Sequence, residues 1–104
     1  MKNMTVGELK EKLETKENLL LLDVREFNEL SMASVVGAHH VPMMQIPLKY
    51  QEFEKNKPIA VMCHTGGRSA QVCMFLDQFG FDTYNVLGGI HAWSLEIDSS
   101  VPTY

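Results

Sequence analysis

Two short aliphatic runs, Leu19–Leu22 and Ile59–Met62, show no alternation of apolar and polar residues. A strand that alternates has one wet face. A strand that does not is covered on both faces, as in a parallel sheet. The segments around these runs have helical patterns. Thr5-Val6-Gly7-Glu8 has the form of a capping box, and Val6, Leu9 and Leu13 follow at helical spacing. This predicts a helix over 6–15. Glu26 to Leu30 reads as a short helix, 31–38 as a loop, and His40 to Pro42 as a short strand. Ile46 to Asn56 reads as helical after Pro47. A helix is expected from Ser69 to Phe79, with Val72, Phe75, Leu76 and Phe79 as its apolar stripe and Gly80 as its stop. Thr83 to Leu87 is a further β-type run, Gly88-Gly89 a turn, and Ile90 to Leu95 a last helix carrying Trp93. Strands alternating with helices predict an α/β fold: a small open parallel sheet of four or five strands, flanked by helices on both faces. At 104 residues the chain is expected to form one domain.

Charge and composition narrow the function. The formal net charge is -4 and no basic tract occurs, so nucleic acid is not an expected partner. The apolar runs are too short to cross a bilayer, and the start, MKNMTVGELKEK, has no apolar leader core. The expected location is the cytoplasm, with no membrane partner. Two cysteines, Cys63 and Cys73, make no disulfide framework. The four histidines have no metal-ligand spacing, and His39-His40 reads as a strand-end pair. No metal or organic cofactor is expected.

In open α/β sheets the ligand site lies beyond the carboxyl ends of the strands. Cys63 directly follows the strand Ile59–Met62, and the segment runs Cys63-His64-Thr65-Gly66-Gly67-Arg68-Ser69 into a helix. Gly66 and Gly67 let the backbone curl so that successive N–H groups point inward. The helix N-terminus adds free N–H groups, the Ser69 amide among them, and Arg68 adds a permanent charge at the rim. Each favours thiolate over thiol. A cysteine of ordinary pKa about 8.5 falls to roughly 4–7 in such surroundings. Cys63 is thus the candidate nucleophile, and the same donors would hold an anionic substrate. The bland alternative is a buried strand-end cysteine beside an ordinary Gly-Gly turn; the strand–Cys–x–x–Gly–x–Arg–helix context argues against it.

This segment resembles the CxxGxRS active loop of single-domain rhodaneses. Leu22-Asp23-Val24-Arg25-Glu26 is similar to the family's "LDVRE" strand end. Gly37-Ala38 with Val41-Pro42 resembles the end of its "GHIPGAxxIP" stretch. Gly80-Phe81 and Asn85 to Trp93 resemble its closing "GF…V.LxGGxxAW" segment. The resemblance implies a rhodanese-like fold and a sulfurtransferase. In it, Cys63 takes a sulfane sulfur from thiosulfate or a persulfide or polysulfide donor, then passes it to cyanide or a thiol. His64, Thr65, Gly66, Gly67, Arg68 and Ser69 form the substrate-binding loop. A sulfur-relay protein is a further implied partner.

The chain departs from the family pattern where Ser34 stands for its His and Val36 for its Pro. His64 reads as a rim residue or a substrate contact. Asp23 and Arg25, at a strand's carboxyl end, read as a structural ion pair supporting the loop. Cys73 reads as a packed core thiol, and Trp93 as a core anchor. Two competing functions are a sulfur-carrier or regulatory module without turnover, and a phosphatase or arsenate reductase of the same fold. The second carries one more residue between cysteine and arginine than the four found here.

Overall fold

The computed structural model describes residues 1–104. Five strands, β1 (Lys2–Met4), β2 (Leu20–Asp23), β3 (His39–His40), β4 (Ile59–Met62) and β5 (Thr83–Val86), form one sheet. Their order is β1-β5-β4-β2-β3, and every pairing is parallel. The helices are α1 (Val6–Glu14), α2 (Phe27–Leu30), α3 (Ile46–Lys49), α4 (Gly67–Asp77) and α5 (Gly89–Glu96). No helix is long and apolar enough to cross a membrane.

The aliphatic runs lack alternation because each strand feeds two cores. Leu21, Ala60, Met62 and Val86 point to the face covered by Val6 and Leu9 of α1 and by Ile90 and Trp93 of α5. Leu22, Ile59, Val61 and Cys63 point to the face covered by Ile46 of α3 and by Val72, Cys73 and Leu76 of α4. All but Trp93 are at most 2% exposed. Fully burying one such large aliphatic side chain stabilises the fold by about 1.5–3 kcal/mol.

Several boundaries differ from the sequence expectation. β1 was not expected. It is a three-residue edge strand with only Met4 buried, and backbone pairing to β5 places it. Helix α4 starts at Gly67, two residues before Ser69, and ends at Asp77, so Phe79 lies outside it and is 37% exposed. The expected helix over 46–56 shrinks to α3 and a 3₁₀ turn, Tyr50–Glu52. Its Tyr50 packs against the end of α4 and the turn after it instead, meeting Phe75 edge-on and lying tilted against Phe79.

Beyond β2 the chain moves outward to the edge strand β3; beyond β4 it moves the other way to β5. The carboxyl ends of β2 and β4 flank this change of direction, where parallel sheets open a crevice. Asp23 closes β2, and Cys63 follows β4.

Candidate active site

Cys63 is 1% exposed. Its Sγ accepts the Gly66 N–H at 3.1 Å and lies 3.3 Å from Ser69 Oγ. Burial pushes the Cys63 thiol up. The Ser69 hydroxyl and the N–H groups of Ser69, Gly66 and Thr65 push it down and prevail, so its pKa is below the ordinary value. Gly66 has φ +122°, a conformation strained for any residue with a side chain. Gly67 does not. It is simply the first residue of α4, so the tight curl rests on one glycine, not on the two expected from the sequence.

The loop is held from behind by α5. The N–H of Ile90 donates to the Cys63 carbonyl at 2.9 Å, and that of His91 to the His64 carbonyl at 3.1 Å. Both carbonyl oxygens are thus engaged on the side of α5. Gly89 makes this approach feasible. A Cβ there would stand 2.5 Å from the Cys63 carbonyl oxygen and 2.6 Å from that of His64.

Ser69 Oγ lies 2.5 Å from Asn85 Oδ1 and 3.1 Å from the Gly66 carbonyl oxygen, as well as beside Sγ. One hydroxyl proton therefore has three acceptors in reach. Ionisation of Cys63 makes Sγ the strongest of them, so the proton can turn to the sulfur without any backbone shift.

Arg68 occupies the rim, but not as a free charge. Its Nη1 and Nη2 donate to Glu29 Oε1 and Oε2 at 2.6 and 2.8 Å. The Arg68 guanidinium, ahead of other causes, holds the Glu29 carboxyl down to about 2. The charge expected at the rim is therefore paired: the forked guanidinium has found a matching carboxylate.

Asp23 and Arg25 form the expected ion pair, and both are fully buried. Arg25 Nε and Nη2 grip the Asp23 carboxylate at 2.8–3.1 Å. Nη2 also donates to the Ala33 carbonyl at 2.8 Å, and Nη1 to the hydroxyl of Tyr104 at 2.9 Å. The pair therefore ties β2 to the segment after α2. Ser34 and Val36 in that segment are exposed. Cys73 is a buried free thiol whose pKa burial raises to about 11.

Sequence reasoning missed four contributors. Asn85 could have been flagged as a polar residue inside a β-run, and Gly89 was read only as part of a turn. Glu29 and Tyr104 have no local signature. Tyr104 donates from its hydroxyl to Glu29 Oε2 at 2.7 Å, and its ring stacks on His64.

The description of the rhodanese-like domain family matches residues 5–96. The chain belongs to that family. Among rhodanese-like proteins of known structure it is similar to one from Staphylococcus aureus, with a TM-score of 0.87 and 36% identity, covering 100% of this chain and 99% of that one. The Bacillus subtilis protein YtwF, named for sulfurtransferase activity, is 42% identical over 96 residues, covering 92% of this chain and 93% of its own. YrkF of the same organism, named for a sulfur-carrier role, is 33% identical, covering 82% of this chain but only 46% of YrkF. The rhodanese-like family and these relatives point to sulfur transfer in general.

Proposed function

We propose that the protein is a sulfurtransferase in which Cys63 accepts a sulfane sulfur and hands it to a thiophilic acceptor. One observation carries the reading. The buried Cys63 Sγ faces the Gly66 N–H at 3.1 Å and the Ser69 hydroxyl at 3.3 Å, donors that hold sulfur as an anion. With thiosulfate, the Cys63 thiolate attacks the outer sulfur, a Sγ–S bond forms, the S–S bond of the donor breaks, and sulfite leaves with the bonding pair. Cyanide then attacks the terminal sulfur of the persulfide, giving thiocyanate and restoring the thiolate. A thiolate acceptor does the same, giving its own persulfide. No step consumes an oxidant or a reductant, and no metal or organic cofactor takes part. His64, Thr65, Gly66, Gly67, Arg68 and Ser69 form the binding loop, and Asp23 with Arg25 supports it through Tyr104 and Glu29, which holds Arg68. A reducing compartment such as the cytoplasm suits this chemistry, because Cys63 must stay a thiol.

The test is the intact mass of reduced protein after incubation with thiosulfate or with a small organic persulfide. Wild type and Cys73→Ser are expected to gain one sulfur, and Cys63→Ser none. Release of that sulfur by cyanide over many cycles would mark an enzyme. The sulfur-carrier likeness to YrkF favours a second reading, in which Cys63 loads once from a relay protein. Loading without turnover supports that reading. Loading on Cys73→Ser lost while its fold is kept would sink the assignment of Cys63 as sole acceptor.

A further inference from the structure

Tyr104 lies far from the loop in sequence and directly on it in space. Its ring stacks face to face on His64, with centroids 4.0 Å apart and planes within 7°. The His64 ring is met edge-on by His91 at 6.0 Å, and its buried Nε2 has no hydrogen-bond partner. The Tyr104 hydroxyl accepts from Arg25 and donates to Glu29. Glu29 in turn holds both terminal nitrogens of Arg68. A chain of contacts thus runs from the buried Asp23–Arg25 pair through Tyr104 and Glu29 to the rim cation.

This arrangement decides what charge the mouth of the loop presents. Arg25 is matched by Asp23, and Arg68 by Glu29. The other cationic residue types of the loop reduce to His64, whose face Tyr104 covers. A small dianion approaching the Cys63 thiolate therefore finds N–H dipoles but no unpaired arginine, and like charges repel. A donor that reacts without net charge at its sulfane sulfur meets no such obstacle, and its organic half can rest against the aromatic rings. Tyr104 is 37% exposed and belongs to no helix or strand. Its hydroxyl bonds and its stack hold it there, so it can be removed without opening the core.

Building on Cys63 as the sulfur acceptor, we propose that Tyr104 is a specificity-determining positioning residue. Its stack on His64 and its bond to Glu29 keep Arg68 paired at the loop mouth, so that the site favours organic persulfides, reacting as RS–SH, over the thiosulfate dianion. In that step the Cys63 thiolate bonds to the outer sulfur and the donor S–S bond breaks. RS⁻ leaves with the bonding pair, and the proton stays on the new Cys63 persulfide.

The experiment compares wild type with Tyr104→Phe, Tyr104→Ala and Glu29→Gln. The first readout is the alkylation rate of Cys63 by iodoacetate divided by that by iodoacetamide, which cancels changes in access and in thiolate fraction. The ratio should rise about two- to fivefold in Glu29→Gln, as expected for releasing one partly exposed ion pair, and in the same direction but by less in Tyr104→Ala, where Glu29 keeps Arg68 but loses the hydroxyl that holds it in place. Tyr104→Phe, which keeps the stack and loses the hydroxyl, should fall between wild type and Tyr104→Ala. The second readout is sulfur loading from thiosulfate against loading from the persulfide of N-acetylcysteine methyl ester. The thiosulfate share should rise in the same order, mainly through a lower KM. An unchanged alkylation ratio in folded Tyr104→Ala and Glu29→Gln overturns the proposal. So does a thiosulfate share that stays constant. Absence of loading from either donor in all proteins overturns the sulfurtransferase reading and the donor preference with it, while the alkylation ratio still judges whether Tyr104 controls the charge at the site.

Discussion

Gly89 sits so close beneath Cys63 that a single added carbon would stand 2.5 Å from the Cys63 carbonyl oxygen. Its φ of +56° independently disfavours a side chain. Gly89→Ala is therefore expected to lose about 2 kcal/mol or more of stability, from backbone strain of about 1–2 kcal/mol and displacement of the loop. Cys63 alkylation at neutral pH should slow with it. Gly67→Ala is the comparison: Gly67 is helical with open space around it, so denaturant midpoint and alkylation should stay near those of wild type. Equal losses in the two variants would refute the assignment of loop support to Gly89.

Ser69→Ala removes the hydroxyl beside Cys63 Sγ. A hydrogen bond to a charged group contributes about 1.5–3 kcal/mol. The Cys63 pKa should therefore rise, because the hydroxyl is the foremost of the groups that lower it. The pH profile of alkylation reads this directly as a shift of its midpoint to higher pH. A midpoint at the wild-type value would assign the lowered pKa to the backbone N–H groups alone.

Asp23→Ala leaves the fully buried Arg25 without its carboxylate. Removing one member of a buried ion pair costs about 3–5 kcal/mol, because the remaining charge is left uncompensated. Chemical denaturation should show a loss of that size, and a loss below about 1 kcal/mol would contradict the structural role of the pair.

Glu29 has its folded pKa lowered from 4.5 to about 2. Its contribution to stability is therefore fully present above pH 4.5 and is lost as pH falls through about 2. Glu29→Gln lacks this titration. Stability measured from pH 5 to 2 should fall less steeply in Glu29→Gln than in wild type. Parallel curves would mean that the Arg68 contact does not hold in solution.

Much of this architecture is local, and so the chain itself determined it. The runs Leu19–Leu22 and Ile59–Met62 had to be strands covered on both faces, because no polar residue interrupts them. The cysteine after β4, the obligatory glycine at position 66 and the helix that follows lie within a dozen residues, so backbone geometry alone assembles an anion-facing loop. What the tertiary structure decided lies between residues far apart in sequence. Glu29 reaches Arg68 across 39 positions, Ser69 reaches Asn85 across 16, and Tyr104 reaches Arg25 and Glu29 across 79 and 75. Edge strand β1, polar at Lys2 and Asn3, likewise exists only because β5 offers it a backbone ladder. Apolar periodicity and turn chemistry act between near neighbours and can be read along the chain. Which charge neutralises Arg68, and which ring covers His64, depends on folding having brought those side chains within a few ångströms of each other.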